Sequence, residues 1–529
     1  MSSFQNRLKD WRIERRQFLY AAGGLAGLVA TSRLQALVEA STPSFPGNPF
    51  TLGVASGDPD SDSVVLWSRL APEPLAADGL GGMDPVRVPV RWAVATDEGM
   101  RHVVRRGTTF ADPDFGHSVH VEVERLSPGR WYWYQFNVGG EWSAIGRTRT
   151  TPAPGQSPRR LRFAFASCQH FEQGLYTAYQ HMVTEDLDMV LHLGDYIYED
   201  GVSPTLPRQH DGDEPMTLAQ YRNRHALYKS DTYLQATHGA FPWLVVFDDH
   251  EVENNWASDF DQNGTAPELF LPRRAVAFKS YYEHMPLRRS SIPRGPDIQL
   301  FRRVRFGDLA QINMLDTRQY RDNQACDDGT DIDCAEALDP ARTITGREQE
   351  RWLLRELDHS RARWNVIGQQ VFMAQRDFEA GAPKRLSMDA WDGYAASRDR
   401  VLGFVARRRI ENVVVLTGDV HANYAAELKA DFADPTSPTI ATEFVGTSIS
   451  SGGDGLDVPA NAAVLLAENP HIKFVNAQRG YVVCEMTRQR CRTEYKTVPY
   501  VTTPGAPITT RASFTVLSGE PQLIEGLDT

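Results

Sequence analysis

Four apolar runs in the central and later parts of the chain end alike. They read LRFAFASCQH (Leu161 to His170), MVLHLGDYIYE (Met189 to Glu199), WLVVFDDHE (Trp243 to Glu251) and NVVVLTGDVH (Asn412 to His421). Each is a β-branched or aliphatic stretch of strand length that delivers Cys, Asp, His or Tyr at its C-terminal end. Parallel α/β sheets bind ligands outside the carboxyl ends of their strands. Four such ends carrying metal-ligand side chains predict one site assembled from four separate places in the sequence.

The patterning differs on either side of residue 150. Between residues 45 and 150 no helical period appears. Val86 to Ala95 and Ser118 to Glu124 alternate polar and apolar positions, and WYWYQFNVGGEWS is an aromatic strand, a Gly-Gly turn and a return. This predicts an N-terminal β-sandwich of immunoglobulin or fibronectin type over residues 45–150. The Thr/Pro/Gly/Ser-rich segment Thr150 to Pro158 marks the boundary, and a catalytic domain is expected over residues 158–515.

From Leu161 onward strands alternate with helices. Helical spacing runs over Tyr176 to Glu185, Leu218 to Ala240, Glu348 to Leu357 and Arg398 to Arg408. Further strands are read over Leu309 to Leu315, ending in Asp316-Thr317-Arg318, and over Trp364 to Phe372. Gly201 to Pro215 is a polar insertion, expected to loop over the site. The expected fold class is α/β. The strand count is high and partly antiparallel, so a two-sheet α/β/β/α sandwich fits better than one open sheet.

Composition narrows the class. The chain has 529 residues, enough for two or three domains at roughly 150 residues each. Its net charge of −12, with no basic stripe, argues against nucleic acid as the main partner. Residues 1–40 stand apart: Arg15-Arg16 lead into a short apolar run, Leu19 to Ala30, and Val38-Glu39-Ala40 resembles a cleavage site. The run is too short and too rich in Ala and Gly for a stable membrane span. It reads as a twin-arginine export signal, with a basic amphipathic helix as the competing reading. Of five cysteines, Cys326 with Cys334 and Cys484 with Cys491 are candidate disulfides. Cys168 is left over, as a buried thiol or a metal thiolate.

The donor types at the strand ends suggest metal chemistry. Asp195 is a hard carboxylate able to bridge two cations, and Tyr198 lies three residues further on. Cys168 offers a thiolate, and Asp419 and His421 point to one face of an extended segment. Asp248-Asp249-His250-Glu251 places carboxylates beside an imidazole, with Asn254 and Asn255 close behind. Sulfur, nitrogen, phenolate and carboxylate together suit iron, and the surplus oxygens suit a hard companion such as calcium. Taken singly, each residue has an ordinary explanation: a capping carboxylate, a packing aromatic, a salt-bridging Arg318. The four-fold recurrence is what those explanations handle poorly.

FASCQ, GDYIYE, DDHEVENNW, LDTRQYR around Asp316, and TGDVH together resemble the PhoD-type alkaline phosphatases, a branch of the calcineurin-like metallophosphoesterase superfamily. The resemblance extends to the N-terminal β segment and the export signal. It implies Fe3+ on Cys168, Asp195 and Tyr198 with Asp419 and His421, and Ca2+ nearby on the side of Asp249, Asn255 and Asp419, with Asp195 bridging. His250 is then expected to be catalytic, and Arg318 a candidate phosphate clamp. The wider superfamily has Gly-Asn-His-Asp/Glu where this chain has Asp248-Asp249-His250-Glu251, so Asp249 takes the place of the metal-binding Asn. The expected enzyme is an exported, monomeric alkaline phosphatase acting on phosphomonoesters and also phosphodiesters, periplasmic or extracellular, with the twin-arginine machinery as its export partner. A phospholipase D-like or nucleotide phosphodiesterase on the same scaffold is the alternative. An adhesion module would not place such ligands at strand ends, and a zinc or copper oxidoreductase would need clustered His.

Overall fold

The computed structural model describes residue 45 and residues 47–434 and 436–526; the expected export signal lies outside them. Strands β1 (Val54–Gly57), β2 (Val64–Arg69), β3 (Val88–Ala95), β4 (Val103–Ala111), β5 (Ser118–Val123), β6 (Trp131–Val138), β7 (Glu141–Trp142) and β8 (Gly146–Arg149) occupy the N-terminal segment. The order β4-β3-β6-β7, with β8 also on β6, makes a small antiparallel sheet. Its inward residues Val88, Val90, Val94, Tyr134 and Phe136 pack against Val64 and Leu66 of β2 and Val119 and Val121 of β5. This is a sandwich, but β1 also pairs in parallel with the strand Pro242–Val245, at Ser56↔Pro242 and Gly57↔Trp243. The N-terminal sandwich therefore shares a hydrogen-bonded sheet with the larger part of the chain.

That larger sheet continues through β9 (Leu161–Ala166), β10 (Met189–His192) and β11 (Pro242–Val245), all parallel to one another. A second sheet is built from β12 (Arg302–Phe306), β13 (Ala310–Met314), then, after the short β14 (Thr330–Ile332), β15 (Trp364–Gly368) and, after β16 (Arg385–Ser387), β17 (Val413–Thr417), β18 (Asn423–Lys429) and β19 (Thr439–Val445). Its centre, β13-β15-β17-β19, is parallel. After β20 (Gly455–Leu456), the 15-residue β21 (Ile472–Met486) joins the two sheets: its first part pairs with β18, its second with β9 and with β22 (Arg490–Val498).

The alternation along the buried strands explains the layers. Leu161, Phe163 and Phe165 of β9 and Met189 and Leu191 of β10 face the second sheet, meeting Ile312, Met314, Val366, Val414 and Leu416. Ala164, Ala166 and Val190, on the opposite face, meet helical residues including Tyr179, Tyr228 and Phe278. Helices Gly346–His359 and Ala395–Arg408 cover the outside of the second sheet. Strands covered on both sides are apolar at every position, hence the unbroken runs in the sequence. The result is the expected α/β/β/α arrangement.

Two readings need amendment. Leu218 to Ala240 is two helices, Leu218–Lys229 and Thr232–Ala240, because the Asp231 side chain accepts from the Tyr233 and Leu234 N–H groups and starts the second one. Cys326 and Cys334 form a disulfide, but Cys484 and Cys491 are free thiols. In the β21–β22 register Cys484 faces Thr493 and Cys491 faces Met486. The register thus sets the two thiols diagonally across the strand pair, not directly opposite, and no bond joins them. Denatured without reductant and with chelator, the protein should titrate three thiols, rising to five after reduction; one thiol would restore the second bridge.

Lys229 ends its helix fully enclosed, 2% exposed, with the ammonium 4.3 Å from the Trp67 ring centre and 5.3 Å from that of Tyr196. Burial lowers its pKa from 10.5 to about 7. The unfolded chain therefore binds the extra proton between these values, so this residue's contribution to stability rises with pH across that window. The full swing is at most about 5 kcal/mol, from 3.5 units at about 1.4 kcal/mol each. Lys229→Met should raise the urea midpoint most near pH 7, and its advantage should shrink toward about pH 10; an advantage independent of pH would refute the lowered pKa.

Candidate metal centre

The strand ends turn sharply. Cys168 (φ 57°), Asp195 (54°), Asn255 (51°), Asp419 (66°) and His421 (52°) all lie in the left-handed region. Non-glycine residues persist there only when their surroundings over-determine them, at a cost of about 1–3 kcal/mol each. Two glycines allow the ends to approach. A Cβ on Gly194 would sit 2.3 Å from the Asp248 Cβ, and one on Gly418 would sit 2.8 Å from the Ser167 Oγ. Glu251 then ties β10 to β11. Its Oε1 accepts from the Tyr196 N–H (2.6 Å) and its Oε2 from the Asp195 (3.1 Å) and Asp248 (2.9 Å) N–H groups.

These turns bring the expected residues together. Single ligand atoms of Cys168, Asp195 and His421 lie within 4.8 Å of one another, as do those of Asp195, Asp249 and His250, and those of Asp248, Asp249 and Asp419. Asp195 and Asp249 each belong to two of these groups. The Tyr198 hydroxyl donates to Asp195 Oδ2 (2.9 Å) and lies 3.1 Å from His421 Nε2. The Tyr198 ring stacks on His250, with centroids 4.1 Å apart. Asn255 donates its backbone N–H to Asp249 Oδ2 (2.8 Å).

Arg318, expected as a phosphate clamp, is 0% exposed and already engaged. Its Nε donates to Asp248 Oδ1 (2.5 Å) and one terminal nitrogen to Asp389 Oδ1 (2.8 Å). The other terminal nitrogen makes no hydrogen bond among the described residues and lies 3.5 Å from Asp249 and 3.6 Å from Asp419. In this geometry the guanidinium orders four carboxylates.

Buried negative charge dominates the centre. The buried Asp195, Asp248, Asp249 and Glu251 and the half-buried Asp389 and Asp419 surround Arg318 and His250, and a second buried arginine, Arg321, pairs with Asp389 (2.5 Å). Burial pushes the Asp195 and Asp248 carboxyls well up, their acidic neighbours adding to it, and raises Asp419 to about 7. Burial and the adjacent Asp195 likewise hold the Cys168 thiol and the Tyr198 phenol protonated. His250 goes the other way. Burial opposes its charge, but Glu199, Asp249 and Asp195 outweigh that and raise its pKa well above the usual histidine range. Its Nδ1 is 2.7 Å from Glu199 Oε2. His421 is lowered to about 3 by burial, then by Arg479 and His250, and so is neutral. Asp195 Oδ1, Asp248 Oδ2 and Asp249 Oδ1 are buried and accept no hydrogen bond among the described residues. Unpartnered buried carboxylate oxygens crowded beside a thiol, a phenol and imidazoles are the donor set a cation would satisfy.

Comparison with known proteins identifies the family. The family profile described as "PhoD-like phosphatase" matches residues 163–495, and "PhoD-like phosphatase, N-terminal domain" matches residues 36–152. The chain belongs to the PhoD-like phosphatase family. It is 52% identical over 521 residues to alkaline phosphatase D of Bacillus subtilis (strain 168), covering 97% of this chain and 88% of that protein. A solved structure described as "Structure of PhoD" superposes with a TM-score of 0.90 at 53% identity, covering 92% of this chain and 94% of that one. This PhoD-like phosphatase is thus a phosphoric ester hydrolase with a mixed α/β fold.

Several site residues escaped the sequence reading. Glu251 enters the sequence reading only as the last residue of Asp248-Asp249-His250-Glu251, yet it is a three-way backbone acceptor. Asp389 follows no apolar run, so nothing in its neighbourhood marked it. Ser451, 2.7 Å from the Tyr198 hydroxyl, and Arg479, whose guanidinium donates to the His421 carbonyl (2.6 Å), come from a loop and a strand beyond the four runs. Glu251→Ala should destabilise this PhoD-like phosphatase by roughly 3 kcal/mol or more in urea unfolding, since three buried N–H groups lose their acceptor. A loss below about 1 kcal/mol would show that the turns hold without it.

Proposed function

We propose that this PhoD-like phosphatase is a metal-dependent, exported enzyme that hydrolyses phosphomonoesters and, as a second class, phosphodiesters. The observation that carries the reading is the pair of buried oxygens that accept no hydrogen bond among the described residues, Asp195 Oδ1 and Asp249 Oδ1 (the latter 3.5 Å from Arg318), beside Cys168, Tyr198, His250 and His421. In this reading Cys168, Asp195 and Tyr198, with Asp419 and His421, hold Fe3+. Asp249, Asn255 and Asp419 serve Ca2+, and Asp195 is shared. Bound cations would polarise the phosphoryl oxygens and acidify the attacking water. The chain supplies the rest. His250, kept charged by Glu199, holds a proton for the leaving alkoxide, and its ring orientation is set by stacking on Tyr198. Arg318 enters as the residue that orders Asp248, Asp249 and Asp419. The name of the Bacillus relative favours the phosphatase reading over a phospholipase D-like one.

Export rests on the Arg15-Arg16 signal, and a Cys326–Cys334 disulfide suits a periplasmic or extracellular enzyme. A monomer completes the reading.

Elemental analysis of the purified enzyme, beside assays on a nitrophenyl monoester and diester, tests this. Iron with calcium is expected, and chelation should abolish both activities. Cys168→Ser and Asp195→Asn should each lower bound iron and turnover together, by about 100-fold or more for turnover. Zinc alone, or full turnover with retained iron in either variant, would sink the assignment.

A further inference from the structure

Asn255 is gripped from three sides. Its backbone N–H donates to Asp249, and its carbonyl accepts from Gln324 Nε2 (2.5 Å). Its side-chain amide donates through Nδ2 to Asp328 Oδ2 (2.7 Å). The last contact has a direction. A carboxylate oxygen accepts from an amide N–H, so Asp328 draws Nδ2 and leaves Asn255 Oδ1, the ligand-type atom, at the opposite end of the amide group.

Gln324 and Asp328 flank one turn, Ala325–Asp327. Within and after it, Cys326 (φ 50°), Asp327 (59°) and Asp328 (68°) are three consecutive non-glycine residues in the left-handed region. Left-handed L-residues occur routinely only singly, at about 1–2 kcal/mol each, so this turn is held from outside. The holds are visible. Cys326 is bridged to Cys334, and its N–H donates to Glu336 Oε2 (3.0 Å). Between the two cysteines, β14 pairs with β16, and Ala325 packs with Ala337 and Met388. Met388 precedes Asp389, whose Oδ1 accepts from both Arg318 (2.8 Å) and Gln324 (3.0 Å). The disulfide loop and the candidate metal centre are therefore in hydrogen-bonded contact at Asn255 and Asp389.

We infer that Asp328 is a positioning residue that orients the Asn255 amide toward the cation side of the site, and that the Cys326–Cys334 bridge holds Asp328 in place to do so. The inference rests on Asn255 serving that side as a ligand, and the test separates the two claims.

Calcium binding is measured by titration calorimetry on calcium-depleted full-length enzyme, alongside the calcium dependence of nitrophenyl phosphate hydrolysis. Near-ultraviolet circular dichroism monitors the fold. Asp328→Ala should weaken calcium binding by about 10- to 100-fold, the usual effect of losing a group that orients a ligand. Asp328→Asn, whose amide oxygen still accepts from Asn255 Nδ2, should return affinity to within a few-fold of native. The double variant Cys326→Ser/Cys334→Ser should weaken binding in the same direction, and adding Asp328→Ala to it should weaken it little more, because both changes break one linkage. Asn255→Ala must itself weaken calcium binding. If it does not, the ligand reading and the inference fall together. If it does while Asp328→Ala binds as the native enzyme does, the inference alone is overturned. It is also overturned if Asp328→Asn is as weak as Asp328→Ala, or if the disulfide and Asp328 effects are fully additive.

Discussion

One carboxylate fixes the geometry of the candidate metal centre. Glu251 accepts three backbone N–H groups, two from the turn after β10 and one from the turn after β11. Without that acceptor the turn carrying Asp195 would expose buried donors in a region closed to water, and Asp195 would have no reason to stay in the left-handed region. Gly194 complements it from the other side, since no larger residue could bring the β10 turn this close to Asp248. The position of Asp195, shared between two candidate ligand groups, follows from these local constraints.

Around this frame the protein concentrates charge of one sign. Arg318 is placed to relieve part of it, reaching Asp248 and Asp389 directly and standing within 4 Å of Asp249 and Asp419. The relief is incomplete. The raised pKa values of Asp195, Asp248 and Asp419, and the oxygens left without hydrogen bonds, describe a site whose electrostatics call for cations. His250 is the exception that the same field produces: surrounded by carboxylates, it is held in its charged form. One distribution of charge thus bears on both the metal chemistry and the proton chemistry proposed for this PhoD-like phosphatase.

The N-terminal sandwich is part of the same construction. Because β1 pairs with β11, the strand that leads to Asp248 is hydrogen-bonded on both edges, to β10 on one side and to the N-terminal segment on the other. The Trp67 indole N–H donates to the Glu283 carbonyl (2.9 Å), and Lys229 lies against Trp67 and Tyr196, so side chains reinforce what the backbone begins. Tyr196 directly follows Asp195, so Lys229 links Trp67 of β2 to the residue next to that turn.

The sequence by itself determined the strands and the polar ends at which they converge. Runs such as NVVVLTGDVH are apolar at consecutive positions because both faces are covered, and the polar residues at their ends stand where that cover stops. Local chemistry of this kind is written in contiguous residues, so Cys168, Asp195, Asp249, His250, Asp419 and His421 could be picked out as one candidate group, and they do converge. Only the tertiary structure decided what each side chain faces. Leu218 to Ala240 reads as one helix until Asp231 caps a second, and Cys484 and Cys491 look like a pair until the strand register sets them diagonally. Arg318 reads equally as a salt-bridging residue or a phosphate clamp until it is found buried among Asp248, Asp249, Asp389 and Asp419. Glu251, Asp389, Asp328 and Ser451 act through partners far away in sequence or through backbone groups that carry no side-chain signature. Their roles depend on distances between segments, and no spacing along one chain encodes those.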